Sequence, residues 1–193
     1  MDSTLCWPMT LMIDDIVEVD ARGCRRVGLV SDSHGPVDSR IIGAISNCDF
    51  LIHAGDLGGS AALNDLLQIA RATVVRGNND TANRWDGCEL NELRKLPEVV
   101  RVKLTGGSVV VIHGDQFPQA KKRHLQLRGR FPEEIAVVYG HSHRLVTDVE
   151  STPWVLNPGA CGRARTYGGP SGLILERKLR RWEISTVHFA PLR

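Results

Sequence analysis

Six times along this chain, a short run of apolar and β-branched residues ends abruptly in glycine, aspartate, histidine or asparagine. RVGLV (26–30) leads into SDSHG, DFLIHA (49–54) into GDLGG, and TVVR (73–76) into GNND. SVVVI (108–112) leads into HGDQ, IAVVY (135–139) into GHSH, and WVL (154–156) into NPGA. Runs that stay apolar, without alternating polar positions, read as strands buried on both faces. Between the early runs the spacing is helical: Ile41, Ile42 and Ile45 within 37–47, then Leu63, Leu66, Leu67 and Ile69 within 61–70. This β-α-β-α-β start predicts parallel strands joined by right-handed crossovers. Further on, VVRVKL-TGG-SVVVI and SGLILER…RWEISTVHF read as hairpins, so an α/β fold with mixed sheets is expected.

A chain of 193 residues suits one domain with a sizeable core, and no repeat or linker divides it. The expected organisation is an N-terminal extension over 1–25, then a single domain over 26–193. A net charge of +2 gives no pull toward nucleic acid. The five cysteines are scattered, with no C-x-x-C, which argues against a disulfide framework and a cysteine zinc site and favours a reducing cytoplasm. Asp14, Asp15, Glu18 and Asp20 interrupt the N-terminal apolar residues. No basic signal-type start and no transmembrane-length stretch is present, so a soluble cytoplasmic protein without a membrane partner is expected. Whether it forms a homo-oligomer is left open.

In open α/β sheets ligands sit at the carboxyl ends of strands. The strand ends here collect Asp32, His34, Asp56, Asn78, His113, His141, His143 and Asn157. No serine or cysteine nucleophile with a base stands out. Imidazoles mixed with carboxylate and amide oxygens suit first-row divalent ions better than Ca²⁺. The inventory is large enough for two ions, which at roughly 3.5–4 Å apart can bind a phosphoryl group and make a hydroxide.

The ordered set Asp32-Ser33-His34, Gly55-Asp56, Gly77-Asn78, His113-Gly114 and Gly140-His141-Ser142-His143 resembles the signature of calcineurin-like metallophosphoesterases. The resemblance covers about 26–190, and the DSHG form and NPG at Asn157 look most like the compact YfcE-like phosphodiesterase branch. It implies a four-layer α/β/β/α sandwich of two mixed sheets, the metallophosphoesterase fold. It also implies a phosphodiesterase acting on a small phosphoester by in-line attack of a hydroxide held between two divalent ions. Asp32, His34 and His143 would hold the first ion, Asn78, His113 and His141 the second, and Asp56 would bridge them. Mn²⁺ is the first expectation, with Fe²⁺, Zn²⁺, Ni²⁺ and Mg²⁺ also compatible. Two other readings stay beside it: a nucleotide-linked pyrophosphate hydrolase, and a non-catalytic binding module on the same fold, for which the family-like retromer subunit is the precedent.

Many relatives carry a histidine after the G-N pair, and it helps protonate or stabilise the leaving oxygen; this chain has Asn79, which can donate a hydrogen bond but no proton at neutral pH. Phosphomonoesters with poor leaving groups should suffer most. Asn79, Arg84 and Arg165 are the candidate substrate contacts, the arginines for their planar donor forks. Asp80 is expected to order the GNND loop, His53 to be a core or supporting histidine, and Asn157 to support the site without binding metal. The basic run AKKRHLQLRGR (120–130) reads most simply as a solvated helix face, and as a phosphate contact through Lys122, Arg123 or His124 on the sharper view.

Overall fold

The computed structural model describes residues 15–191. Strands β1 (Ile16–Asp20), β2 (Arg26–Val30), β3 (Phe50–His53), β4 (Arg71–Val74), β5 (Val99–Leu104) and β6 (Gly107–Ile112) are followed by β7 (Ala136–Val138), β8 (Leu145–Asp148), β9 (Trp154–Pro158), β10 (Ser171–Lys178) and β11 (Arg181–His188). The helices are α1 (Ser39–Ile45), α2 (Ser60–Leu67), α3 (Leu90–Lys95) and α4 (Arg123–Arg130). Two mixed sheets form, one ordered β1-β5-β6-β7-β9-β8 and the other β11-β10-β2-β3-β4. β2, β3 and β4 run parallel, as do β6, β7 and β9, so six strand ends point the same polar loops toward one edge.

The strands alternate between two apolar environments, which is why their sequences read as unbroken runs. Val27, Leu29, Phe50 and Ile52 from one sheet meet Val100, Val102, Val109, Val111, Val138 and Leu156 from the other. On the outer face of the first sheet, Val30, Leu51 and Val74 pack under Ile41 and Ile45 of α1, Leu66 of α2 and Leu93 of α3. On the outer face of the second, Val110, Ile112 and Val137 pack under Leu127 of α4 and the following Phe131. The result is the expected order of layers, helix, sheet, sheet, helix. Full burial of each such side chain stabilises by about 1.5–3 kcal/mol, and these strands bury them on both faces.

The first two helices start and stop within a few residues of the expected spans. Asp38 caps α1 by accepting from Arg40 N at 2.9 Å, and its carboxyl is held below the ordinary carboxylate range chiefly by the Arg40 side chain. β4 begins earlier than its apolar run suggests, at Arg71, because that strand pairs with β3 from Phe50 onward. β1, β8 and α3 were not expected from pattern. β1 pairs in parallel with β5 at the sheet edge, and it lies within the stretch set apart as an extension; residues 1–14 of that stretch lie outside the described residues. Cys24, Cys48, Cys88 and Cys161 are free. Among the described residues no helix is long and apolar enough to cross a membrane.

Candidate metal centre

Each signature residue sits just beyond a strand, where the chain must turn within one or two residues. Five of them do so in left-handed backbone: Asp32 (φ 52°), His34 (47°), Asp56 (60°), His141 (64°) and His143 (55°). Among the described residues only Arg165 and Leu179 share this feature without being glycine. Such a conformation costs a residue with a Cβ about 1–2 kcal/mol, and it persists where surrounding contacts fix it. Its concentration at one strand edge is a structural mark of function that the sequence did not carry.

The side chains converge as two sets. In the first, Asp32, His34, Asp56 and His143 each offer a ligand atom within 4.8 Å of all the others. His143 Nε2 lies 3.3 Å from Asp32 Oδ1 and 3.2 Å from His34 Nε2. In the second, Asn78 Oδ1 lies 3.1 Å from His113 Nε2 and 3.0 Å from His141 Nδ1. One atom faces both sets: Asp56 Oδ2 is 3.8 Å from His34 Nε2 and 3.4 Å from His113 Nε2.

This donor set fits divalent cations. Asp32 and Asp56 are buried, and among the described residues neither pairs with a lysine or arginine, so the only groups near them that could carry a positive charge are imidazoles, beside neutral donors such as Ser31 Oγ and Asn79. Buried carboxylates need a compensating cation. His113 Nδ1 donates to Ala54 O at 2.8 Å and His143 Nδ1 donates to Arg165 O at 2.7 Å. Each bond puts the ring proton on the far nitrogen and turns a lone pair at Nε2 into the centre, as metal-binding histidines are oriented.

Imidazole protons also offset part of the buried charge. Burial pushes His113 down, but the Asp56 hydrogen bond and charge outweigh it and raise its pKa to about 9. Burial also opposes ionisation of Asp56, yet hydrogen bonds from His113 and Asn79 carry its carboxyl well below the ordinary range. The hydrogen bond to Asp32 raises His143, whereas burial lowers His34 and His141.

The supports come from residues near the ligands in sequence or across the sheets. Asp80, buried, accepts at Oδ2 from the backbone N–H of Asp56 (2.9 Å) and Gly77 (2.9 Å), and at Oδ1 from Gly58 N–H (3.0 Å) and Trp85 Nε1 (3.1 Å). It orders the GNND loop as expected. A Cβ on Gly77 would overlap the Asp56 carboxylate and amide, so only glycine lets the two loops meet. Asn157 Nδ2 donates to Gly140 O (2.7 Å) and Ser142 Oγ (3.0 Å), holding the GHSH turn from β9. His53 is fully buried; its Nδ1 accepts from Gly55 N–H (3.2 Å), its Nε2 lies 3.0 Å from Ser33 Oγ, and burial lowers its pKa to about 4. It is a neutral supporting histidine.

The expected substrate contacts separate. Asn79 points into the centre: its backbone N–H donates to Asp56 Oδ1 at 2.8 Å and its side-chain Nδ2 to Asp56 Oδ2 at 2.7 Å. Arg165 lines a cleft of about 440 Å³ with His141, Ser142, His143, Thr166 and Tyr167. Arg84 is exposed and is not among the residues lining that cleft or a second of about 430 Å³ that meets the centre at Asn78. Within the basic run, Arg123 and His124 are engaged structurally, while Lys122 is exposed. Arg123 is buried, with Nε donating to Phe117 O at 2.8 Å, and His124 Nδ1 bonds Asp148 Oδ2 at 2.7 Å.

A double-sheet sandwich with a carboxylate–imidazole cluster at its strand ends defines a metallophosphoesterase fold. The chain belongs to the calcineurin-like phosphoesterase superfamily, whose domain model matches residues 26–179. It is 27% identical over 146 residues to a probable metallophosphoesterase of Methanocaldococcus jannaschii, covering 72% of this chain and 69% of that protein. Among solved structures it resembles a novel archaeal phosphodiesterase (TM-score 0.62, 23% identity, 84% of this chain and 99% of that one). It also resembles Vps29 from Entamoeba histolytica in complex with zinc (TM-score 0.64, 20% identity, 84% and 98%). These two structural likenesses define the fold.

Proposed function

We propose that this protein is a dinuclear-metal-dependent phosphodiesterase. The observation that carries the reading is the single oxygen of Asp56 that faces both ligand sets. Asp32, His34 and His143 would hold one divalent ion, Asn78, His113 and His141 the other, and Asp56 both. Bound there, the ions supply Lewis acidity toward phosphoryl oxygens and activate water at neutral pH.

The chain's own contribution is orientation and charge. Asp32 and Asp56 bring negative charge to a buried floor, and carbonyls fix the ring tautomers of His113 and His143. Asn79 has donors but no proton to give a leaving oxygen, so esters whose leaving group departs unaided are favoured. The likeness to an archaeal phosphodiesterase agrees with this preference.

The test is hydrolysis of bis-p-nitrophenyl phosphate against p-nitrophenyl phosphate, on EDTA-stripped protein with and without Mn²⁺. Mn²⁺-dependent cleavage favouring the diester is expected, and Asp56→Asn should abolish it while weakening binding of both ions. Full activity in Asp56→Asn would sink the dinuclear reading. No cleavage and no bound metal would favour the binding module.

A further inference from the structure

We infer that the cleft beside His141 and His143 is a nucleoside subsite, in which Tyr167 stacks on the base of a nucleotidyl phosphodiester. This rests on the phosphodiesterase reading and names the substrate class for the same centre. The cleft's 440 Å³ falls in the ~300–1,000 Å³ range of small-molecule sites. Tyr167 lines this cleft and is 62% exposed, so its ring is open to a ligand. The Arg144 guanidinium sits 4.7 Å from its ring centroid, a cation–π contact that steadies the ring and leaves ring surface for a ligand.

The loop is tied to the centre, because the carbonyl of Arg165, in left-handed backbone at φ 58°, accepts from His143 Nδ1. Arg144 and Arg165 are exposed, and among the described residues neither has a carboxylate partner. The Arg165 guanidinium, the exposed Tyr167 ring and the Thr166 hydroxyl line the cleft, with Arg144 against the ring, and match the parts of a nucleotide: phosphate, base and sugar. An acyl chain would find no apolar wall there. The second cleft, meeting the centre at Asn78 and walled by Leu90 and Leu93, is placed for the other arm of a diester.

The experiment compares the p-nitrophenyl ester of thymidine monophosphate with methyl p-nitrophenyl phosphate on Mn²⁺-loaded protein. Both carry the same leaving group and the same charge. Wild type should prefer the thymidine ester through a lower KM. Tyr167→Ala should shrink that preference by about 5- to 100-fold, the fold-change that base–aromatic stacking supports, and Tyr167→Phe should keep it. Equal use of both esters by wild type, or a wild-type preference in Tyr167→Ala, would overturn the subsite.

If neither ester is cleaved, the phosphodiesterase reading fails. Calorimetric titration of thymidine monophosphate into Mn²⁺-loaded wild type and Tyr167→Ala then judges the subsite alone. Tighter binding by wild type supports it, and equal or absent binding overturns it.

Discussion

Asn79 stands where the family resemblance puts a histidine, and in this structure it clamps Asp56. Its two donors reach both oxygens of Asp56, and only the side-chain bond depends on its identity. Asn79→Ala should therefore weaken Mn²⁺ binding about 10- to 100-fold, the usual effect of removing a group that orients a metal ligand, measured by calorimetric titration. Asn79→His brings an acid but loses the amide clamp. It should raise the ratio of monoester to diester hydrolysis while Mn²⁺ affinity falls; unchanged affinity in both variants would show that the clamp is idle. The seven residues proposed as ligands stood out in sequence because each lies within a few residues of the end of an apolar run, and the structure brings their side chains together. The clamp did not, since it joins residues 23 positions apart through a turn whose path no pattern specifies. The left-handed backbone at Asp32, His34, Asp56, His141 and His143 was equally hidden, because aspartate and histidine, though enriched in that region, adopt it at only a small share of their positions.

At the scale of elements, the strand ends supply ligands and other segments hold the loops between them. α4 is the clearest case. Asp148 of β8 takes His124 Nδ1 at 2.7 Å and Arg128 Nη2 at 2.6 Å, pinning the helix over the sheet. Arg128 chiefly, with His124, depresses the Asp148 carboxyl below its unfolded value, against the opposing effect of burial. A depressed carboxylate contributes stability above its unfolded pKa of about 3.9, and the contribution is lost as pH falls through the folded value. Asp148→Asn should thus lower Tm at pH 7 by roughly 2–4 °C, for a loss near ~1 kcal/mol. In thermal melts the gap to wild type should close in acid below about pH 3.9; a gap constant with pH would mean the charge is irrelevant. The basic run was readable as a helix face, but not the burial of Arg123 within it, because Phe117 O and the Tyr139 ring that receive it come from other segments. β8 and α3 escaped for a simpler reason: four and six residues are too short to display a period.

For the whole molecule, the centre lies on the seam between the sheets. Asp32, His34, Asp56 and Asn78 follow strands of one sheet, and His113, His141 and His143 follow strands of the other. An ion held there fastens both sheets and binds only the folded chain. Mn²⁺ at about 100 times its Kd should raise stability by about 2.7 kcal/mol, or roughly 5–11 °C in Tm, reversed by EDTA. Calorimetric melts that stay the same with and without Mn²⁺ would refute a built metal centre. That the sheets are mixed and covered on both faces was legible from the unbroken apolar runs, and the four-layer order followed from the family resemblance. The pairing of β10 beside β2 was not legible, since no local pattern says which edge a late hairpin joins. That pairing has a consequence for synthesis. While the chain is being made, the carboxylates of residues 32 and 56 leave the ribosome long before His113 and His143, and β2 lacks one of its two neighbours until residues 171–178 have emerged. Completing both ligand sets must therefore wait until His143 has emerged, so a product truncated before it would carry Asp32, His34, Asp56 and Asn78 without the full set of histidines from the facing sheet.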